Sequence, residues 1–379
     1  MTAATPAPTD PSRKYRVAMV GACPFPAPQG SQVLLADTSR ALADRGHEVH
    51  LVAYGFGKGD TDINVPLHRS RRIPGAKKTS AGPSLAKPFL DGALVTTLRQ
   101  VMRRYDLEIV HAHNYEGLLV ALASRKRPIV YHAHNAMADE LPFYFSKARW
   151  AAGVGRLLDR TVPHRADAVI APHHALAEYL IAAGCPASKV HVIPPSAGLD
   201  AFSVQPASKG LPIMLYTGNL DAYQNLDFLT AVYGQVRQSL PEMRFVIGTA
   251  ASSEAPDAEV VVTDNIGALQ RLLAQDAVFV CPRTSWSGYP IKLLNAMASG
   301  KAIVASRSSS HGLEHESSAL IVDDHDVEGF AAAVCRLAQE PRMRDSLGAQ
   351  ARKAAETRHA PDVIAQQIER VYAQVACLI

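Results

Sequence analysis

The chain has 379 residues, of which 47% are hydrophobic and 20% charged, and its formal net charge is +4. This length predicts two domains of ordinary size, each with enough apolar residues for a core. The modest charge and the poor interleaving of basic with aromatic residues argue against nucleic-acid binding. No stretch reaches the roughly 18 to 20 apolar residues of a membrane-spanning helix.

The beginning of the chain, MTAATPAPTDPS, is rich in Pro, Ala and Thr and lacks the apolar run of a signal peptide. We therefore interpret residues 1–14 as a disordered tail. The five cysteines are widely separated and have no spacing typical of a metal site. Such cysteines indicate a reduced protein, and we expect a cytoplasmic location.

Apolar strand-like runs alternate with helical patterns along the chain, as in parallel sheets flanked by helices. In the first half the predicted elements are strand 16–20, helix 32–45, strand 48–53, strand 108–111, helix 118–124, strand 129–132 and strand 168–170. After Gly198 the pattern restarts with strand 213–216, helix 226–240, strand 244–247, helix 268–273 and strand 277–281. We predict an α/β fold of two Rossmann-like domains, 15–197 and 198–362, which face a central cleft and bind ligands at the carboxyl ends of their strands.

The segment 282–306, PRTSWSGYPIKLLNAMASGKAIVAS, contains the strongest motif of the chain. Strand 277–281 runs into a turn, Pro290 starts a helix, Gly300 ends it, and strand 302–305 follows. Pro at the first helical position and Gly just past the last are the expected start and stop signals. Backbone N–H groups at such a helix start bind anions, most often phosphate.

This segment resembles the donor-binding motif of the retaining GT-B glycosyltransferases of family GT4. That motif reads roughly Glu-Gly-(Phe/Tyr)-(Gly/Pro), four residues, then Glu-Ala-Met-Ala-x-Gly-x-Pro-Val-Val. The matching residues are Gly288, Tyr289, Pro290, Leu294, Ala296, Met297, Ala298, Gly300, Ile303 and Val304. The two acids of the motif fall on Ser287 and Asn295.

The resemblance extends over most of the chain and implies the GT-B fold. It includes RGHEV at 45–49, DLEIVHAHNYE at 106–116, KVHVIPP at 189–195 and ALIVDDHDVEGF at 319–330. Residues 363–379 have apolar residues at spacings of three and four, which predicts an amphipathic helix. In GT-B proteins this terminal helix often crosses back onto the first domain.

The family usually places Arg directly after Gly218 and Lys five residues further on, where both bind the donor diphosphate. Here these two positions hold Asn219 and Gln224. With Ser287 and Asn295, four charged positions have become neutral but can still form hydrogen bonds. We therefore favour a donor site with altered charges over an inactive one, and a pseudoenzyme is the alternative. Two candidate compensating cations are Arg283 and Lys292, with a local salt bridge and a surface lysine as the simpler interpretations.

The sequence His-Ala-His-Asn occurs at 111–114 and again at 132–135, each time where an apolar strand ends. Because alternate residues of a strand share a face, His111 pairs with His113 and His132 with His134. If the two strands are neighbours, the imidazoles converge at one edge of the sheet. Core histidines bonded to the backbone and a metal site are alternatives. No Asp, Glu or Cys with ligand spacing supports a metal.

The resemblance assigns His134 a contact with the donor sugar near the reacting carbon, with Asn135 beside it. It also places a glycine, here Gly30, next to the donor at the start of the first helix. The candidate acceptor-side residues are His113, Asn114, Tyr115 and Glu116. Glu140 is a weaker candidate.

Residues 67–105 form a basic stretch with a helical part. Its cations are Arg69, Arg71, Arg72, Lys77, Lys78, Lys87, Arg99, Arg103 and Arg104. Its apolar stripe is Phe89, Leu94, Leu98 and Met102. A basic amphipathic stretch predicts contact with an anionic membrane or an acidic acceptor, and a solvated basic face is the alternative.

The resemblance implies a metal-independent enzyme that moves a sugar from a nucleotide-diphosphate donor to a hydroxyl of a glycan, lipid or small molecule, with retention. No cofactor is expected besides this donor substrate, which the second domain would hold. A peripheral contact with the inner face of the membrane is compatible with the cytoplasmic location. The alternatives are a non-catalytic sugar-nucleotide binding protein and a GT-B sugar-nucleotide epimerase.

Overall fold

The computed structural model describes residues 13–27, 29–57, 63–74, 86–126, 128–145, 148, 150–208, 210–221, 224–250, 255 and 257–377. Contacts divide the chain into two compact units, Met1–Pro195 with Pro361–Ile379, and Ser196–Ala360. Most of the predicted tail, residues 1–12, lies outside the described residues. None of the described helices combines the length and apolarity needed to cross a bilayer.

The first unit contains a parallel sheet with strand order β3-β2-β1-β4-β5-β6-β7. Its elements are β1 (Arg16–Gly21), α1 (Gly30–Asp44), β2 (Glu48–Ala53), β3 (Leu67–Arg69), α2 (Lys87–Arg104), β4 (Ile109–His113), α3 (Asn114–Ser124), β5 (Ile129–His132), α4 (Met137–Tyr144), α5 (Ala151–Thr161), β6 (Ala168–Ala171), α6 (His174–Ala182) and β7 (Val190–Val192). The central strands are nearly continuous apolar runs, because helices cover both faces of a parallel sheet.

The second unit contains a parallel sheet with strand order β10-β9-β8-β11-β12-β13. Its elements are β8 (Ile213–Thr217), α7 (Leu226–Ser239), β9 (Phe245–Thr249), β10 (Glu259–Val262), α8 (Ile266–Leu273), β11 (Ala277–Cys281), α9 (Ile291–Ala298), β12 (Ala302–Ser306), β13 (Leu320–Val322), α10 (Val327–Gln339) and α11 (Pro341–Arg358). The predicted α/β class with two Rossmann-like parallel sheets is confirmed.

The last helix, α12 (Pro361–Ala376), belongs to the first unit. It begins two residues earlier than the sequence pattern predicts, and its apolar face lies in the first core against β1, β2 and α1. Leu378, which the pattern includes, lies outside the described residues. Glu369 on its polar side accepts two hydrogen bonds from the Arg45 guanidinium, at 2.7 and 2.9 Å. The helix is therefore held by both apolar and charged contacts.

Helix α2 faces the core with its apolar stripe. Leu90, Leu94 and Leu98 follow one another at spacings of four and are buried with Val101 and Met102. Phe89 is 69% exposed, so its predicted place in the stripe is wrong: it lies about 100° around the helix from Leu90. The stripe therefore belongs to the interior and is not available for a membrane.

The helix of the donor-type motif, α9, begins one residue later than predicted. Pro290 is its N-cap, in an extended conformation, and Ile291 is the first helical residue. At the other end Gly300 has a positive φ of 63°, which a glycine adopts without strain and which ends the helix as predicted.

Candidate functional site

In the second unit, a lysine from the first turn of α9 reaches back to the carboxyl end of β8. The Lys292 ammonium donates to the Tyr216 hydroxyl at 2.9 Å and to the Gln224 side-chain carbonyl. It also lies 4.1 Å from the centre of the Tyr216 ring, within range of a cation–π interaction. The Gln224 amide donates in turn to the Asn219 side-chain oxygen at 2.7 Å. Lys292 is therefore turned inward and joined to two of the four neutral replacements.

The environment of Lys292 disfavours its charge. Burial lowers the pKa of Lys292 to about 7, the Arg283 guanidinium acts in the same direction, and the Cys281 thiol acts against it. Within the described part of the chain, no carboxylate is among the groups that shift this pKa. Lys292 is only partly exposed, and an ammonium that loses water without gaining an acid costs free energy, which a bound anion would offset.

Gly218, directly after β8, leaves space for the lysine. Its φ is +139°, a conformation that residues with a Cβ rarely adopt. A Cβ at this position would lie 3.2 Å from the Tyr216 hydroxyl and 3.5 Å from Cδ of Lys292. The Gly218 N–H donates to the Gly248 carbonyl of the next strand at 2.8 Å, which holds the turn in place.

The turn before α9 is built around Arg283. The guanidinium donates to the Ser285 hydroxyl at 3.0 Å and lies over Gly288, where a Cβ would come within 2.3 Å of Nη2. Ser287 is fully buried beside it. The glycine of the motif is therefore required by the close approach of an arginine, at a helix start with no acid in its first turn.

Tyr289 and Asn295 have different surroundings. Tyr289 is buried in the core of the second unit, and its hydroxyl donates to the His311 carbonyl at 2.9 Å. Burial raises the pKa of this hydroxyl, so it stays protonated. Asn295 is partly exposed, one helical turn after Lys292. Tyr289 therefore supports the turn, whereas the Asn295 side chain stays partly exposed.

In the first unit, β4 and β5 are neighbours and His113 lies opposite His132. The two rings are 4.7 Å apart, and His111 lies 5.3 Å from His132. The predicted convergence of the imidazoles is therefore confirmed. His111 is hydrogen-bonded to the Tyr372 hydroxyl at 2.6 Å and to His132 at 3.2 Å. His111 and His132 are core histidines, but their partners are side chains where the simpler interpretation expected backbone.

His134 extends this cluster beyond the end of β5. Its Nε2 is 3.1 Å from Nδ1 of His113, and its ring meets the His113 ring edge-on. Burial lowers the pKa of all four histidines, that of His132 to about 3. Neutral imidazoles have one donor and one acceptor nitrogen, so they can bond to one another in a chain.

Ring nitrogens of His111, His113 and His132, which could bind a metal, lie within 4.8 Å of one another. The His111 ring, however, stacks on the rings of His113 and His132 with interplanar angles of 25° and 19°. Lone pairs of stacked rings run side by side, whereas a four-coordinate ion needs lone pairs that converge on one point. The arrangement fits a hydrogen-bonded stack of imidazoles better than a metal centre.

Carboxylates lie close to the end of β5. Glu140 of α4 accepts a hydrogen bond from Tyr144 at 3.0 Å and is bonded to the Asn135 side chain. Burial, and then the charge of Glu116, raise the pKa of Glu140. Glu116 itself is paired with Lys87 of α2. Asn135, Glu140 and Glu116 therefore belong to one electrostatically coupled group.

Of the remaining predicted site residues of the first unit, some are buried and others are exposed. His113 and Tyr115 are buried, and the Tyr115 hydroxyl donates to the Leu158 carbonyl at 3.5 Å. Asn114, with a positive φ of 64°, and Glu116 stay partly exposed at the start of α3. Gly30 is exposed and is the first residue of α1, two residues earlier than the pattern predicts.

Sequence reasoning missed two partners at these sites. Tyr216 is buried in β8, where the sequence pattern indicates only a strand residue, yet its hydroxyl binds Lys292. Lys87 belongs to the basic stretch 67–105, yet it forms an ion pair with Glu116. Neither contact could be found from spacing, because each joins elements that are distant in the chain.

Comparison with known proteins assigns the class. The family profile described as Glycosyltransferase Family 4 matches residues 28–200, and the profile described as Glycosyl transferases group 1 matches residues 211–340. Together these two matches span most of both units. The chain belongs to the family 4 glycosyltransferases.

Two relatives have a similar length. The D-inositol 3-phosphate glycosyltransferase of Kribbella flavida is 24% identical, over 88% of this chain and 89% of that protein. The phosphatidyl-myo-inositol mannosyltransferase of Propionibacterium freudenreichii is 22% identical, over 76% of each chain. These identities are low, so the particular reaction of each relative remains that relative's own.

Solved structures share the fold. Sucrose-phosphate synthase from Thermosynechococcus elongatus has a TM-score of 0.79 at 18% identity, covering 97% of this chain and all of that one. HepE of Anabaena, solved with UDP-glucose, has a TM-score of 0.69 at 16% identity, covering 95% of this chain and all of that one. The GT-B fold predicted from the motif is confirmed.

Proposed function

We propose that this glycosyltransferase moves a sugar from a nucleotide-diphosphate donor to a hydroxyl acceptor, with retention at the anomeric carbon and without a metal. The observation that carries the proposal is the inward position of Lys292. Its ammonium is bonded to Gln224, the residue at which the resemblance expects the diphosphate-binding lysine. The cation is supplied from α9 instead of from the loop after β8.

The local charges support a diphosphate at this position. The Arg283 guanidinium is close enough to help lower the pKa of Lys292, and the first turn of α9 contains no acid. A leaving nucleoside diphosphate gains negative charge as the bond to the sugar breaks. Cations and backbone N–H groups directed at it stabilise that charge in the role that a metal has in other enzymes.

The residues of the first unit suit the sugar and acceptor. His134 and Asn135 follow β5, and His134 is neutral, so it can donate a hydrogen bond to a sugar hydroxyl without repelling developing positive charge. The carboxylates of Glu116 and Glu140 can accept hydrogen bonds from acceptor hydroxyls. A solved relative is bound to UDP-glucose. We propose a nucleotide-diphosphate hexose as donor and a polyhydroxylated acceptor.

Donor binding tests this proposal. A thermal-shift screen of nucleotide-diphosphate sugars should find one that adds about 2.7 kcal/mol of stability at a hundred times its dissociation constant. Calorimetric titration should then show donor binding weakened by roughly 1–3 kcal/mol in Lys292→Met, the scale of a charged hydrogen bond. Lys353→Met, which changes an exposed lysine of α11, is the matched control and should bind normally.

The alternative of a non-catalytic binding protein has one observation in its favour. Asn219, Gln224 and Lys292 already satisfy one another through hydrogen bonds. Donor binding by Asn295→Glu distinguishes an active site with altered charges from a decayed site. In an active site with altered charges, the added carboxylate should not tighten donor binding. Unchanged affinity in Lys292→Met together with tighter binding in Asn295→Glu would indicate a decayed site and a pseudoenzyme.

A further inference from the structure

The outer face of helix α5 is apolar. Trp150, the N-cap of the helix, is 57% exposed, Val154 is 38% exposed and Leu157 is 60% exposed. Their spacings of four and three place them along one stripe. A surface helix normally directs such a stripe toward the core and its polar residues toward water. In α5 the apolar stripe faces outward instead.

Contacts on the inner face of α5 keep its apolar stripe turned outward. Asp159 is 2% exposed and accepts hydrogen bonds from the N–H groups of Met137 and Ala138, both at 3.0 Å. It also accepts one from the Tyr179 hydroxyl at 2.9 Å. Gly155 packs so closely on α4 that a Cβ would lie 2.4 Å from the Met137 carbonyl. The helix cannot rotate to bury its apolar stripe without losing these contacts.

The exposed apolar residues of the described chain are concentrated here. Of the twelve large apolar side chains that are exposed, five lie between the end of α4 and the middle of α5, namely Phe143, Tyr144, Trp150, Val154 and Leu157. The ring of Trp150 also contacts Phe145, at 5.3 Å between centroids. Clustered exposure of this kind marks a contact surface, whereas single exposed residues need no explanation.

The exposed charged residues of α5 itself are both basic. Arg156 and Arg160 are exposed on α5, and Asp159, the acid of this helix, is buried on the opposite side. The nearest acids of α4, Asp139 and Glu140, are partly buried. An apolar stripe that includes a tryptophan and has arginines along one side has the character of a helix that lies in the interface of an anionic membrane.

We propose that α5 docks the protein on an anionic membrane surface, with Trp150, Val154 and Leu157 entering the interface and Arg156 and Arg160 contacting lipid phosphates. The stripe from Trp150 to Leu157 is about 10 Å long, since a helix rises 1.5 Å per residue. That is short for a stable protein interface of about 800 Å² per partner. A bilayer, in contrast, accepts a narrow stripe. This surface is distinct from the α2 stripe, and it is independent of the proposed sugar transfer.

Co-sedimentation with vesicles tests the docking surface. The protein should bind vesicles of equal amounts of phosphatidylcholine and phosphatidylglycerol, and bind far less to phosphatidylcholine alone or at high salt. The double variant Trp150→Ala, Leu157→Ala should reduce partitioning about tenfold or more. Arg156→Gln and Arg160→Gln should each reduce it about fivefold. The matched controls Ile266→Ala and Arg271→Gln, exposed in the second unit, should partition as the unchanged protein does.

Three outcomes would overturn the proposal. The first is equal partitioning of the double variant and the unchanged protein. The second is that analytical ultracentrifugation shows a dimer of the unchanged protein and a monomer of the double variant, while neither binds vesicles. A second copy of the chain would then cover the apolar stripe. The third is a marked fall in the unfolding temperature of the double variant, because side chains exposed to water contribute little to stability.

Discussion

The neutral state of the half-buried His134 follows from its loss of contact with water and from the imidazole beside it. Burial lowers its pKa well below the usual value, and the neighbouring His132 acts in the same direction. A neutral ring can contact a sugar that develops positive charge without opposing it. The contact between Nδ1 of His113 and Nε2 of His134, at 3.1 Å, fixes which way the His134 ring points.

His134→Ala should lower turnover about a hundredfold or more, while donor affinity changes little. The reason is that a contact formed mainly in the transition state contributes to turnover and not to binding. Turnover and donor affinity need separate measurement, by steady-state kinetics and by calorimetry. His174→Ala, an exposed histidine at the start of α6, is the control. Turnover within a few-fold of normal would exclude the assignment of His134.

Lys292 should make donor binding depend on pH. The donor diphosphate prefers the charged ammonium, and the pKa of Lys292 in the free protein is about 7. Below pH 7 the lysine is already charged and affinity should be level. Above pH 7 the lysine must take up a proton on binding, so affinity should fall by up to about tenfold per pH unit.

Calorimetry across this pH range measures the effect, since the diphosphate of a nucleotide sugar stays ionised throughout. Lys292→Met should have weaker binding and a flat profile. Lys353→Met should keep the slope. A slope that persists unchanged in Lys292→Met would show that another group titrates.

At the scale of elements, α4 depends on a cap from another helix. Its own N-cap, Ala136, has no side-chain hydrogen bond to offer, and Asp159 of α5 accepts from the first N–H groups instead. Asp159→Ala should destabilise the protein by about 2–3 kcal/mol, because it leaves buried donors without acceptors. Denaturant unfolding measures this, with the exposed Asp44→Ala as control. Equal stability of the two variants would show that the cap is unimportant.

The sequence allowed some elements to be predicted and not others, for physical reasons. Buried parallel strands such as β1 and β11 are apolar runs, and α9 has a proline and a glycine at its ends, so local pattern was sufficient. The outward stripe of α5 could not be predicted, because apolar residues at spacings of four and three indicate an amphipathic helix whose stripe is expected to face the core. The contact of Lys292 with Gln224 escaped prediction because it depends on β8 lying beside β11.

At the scale of the molecule, the first unit is completed only by the last helix of the chain. Ile368 of α12 is fully buried in the first core, and Leu337 of α10 is fully buried in the second unit. Ile368→Ala and Leu337→Ala should each cost about 2–5 kcal/mol.

Hydrogen exchange distinguishes the two variants by location. Ile368→Ala should lower protection in the strands of the first unit, including β1 at the other end of the chain. Leu337→Ala should lower it in the second unit. If Ile368→Ala lowered protection in the second unit alone, α12 would not belong to the core of the first unit.

The most direct test of the central claim is the anomeric configuration of a transferred sugar. The donor found by thermal shift should be incubated with the protein and a panel of polyhydroxylated acceptors, and the product analysed by proton NMR. We predict release of the nucleoside diphosphate and a product with the same anomeric configuration as the donor, formed equally well in the presence of a metal chelator. An inverted product, or no product from any donor that binds, would contradict the account.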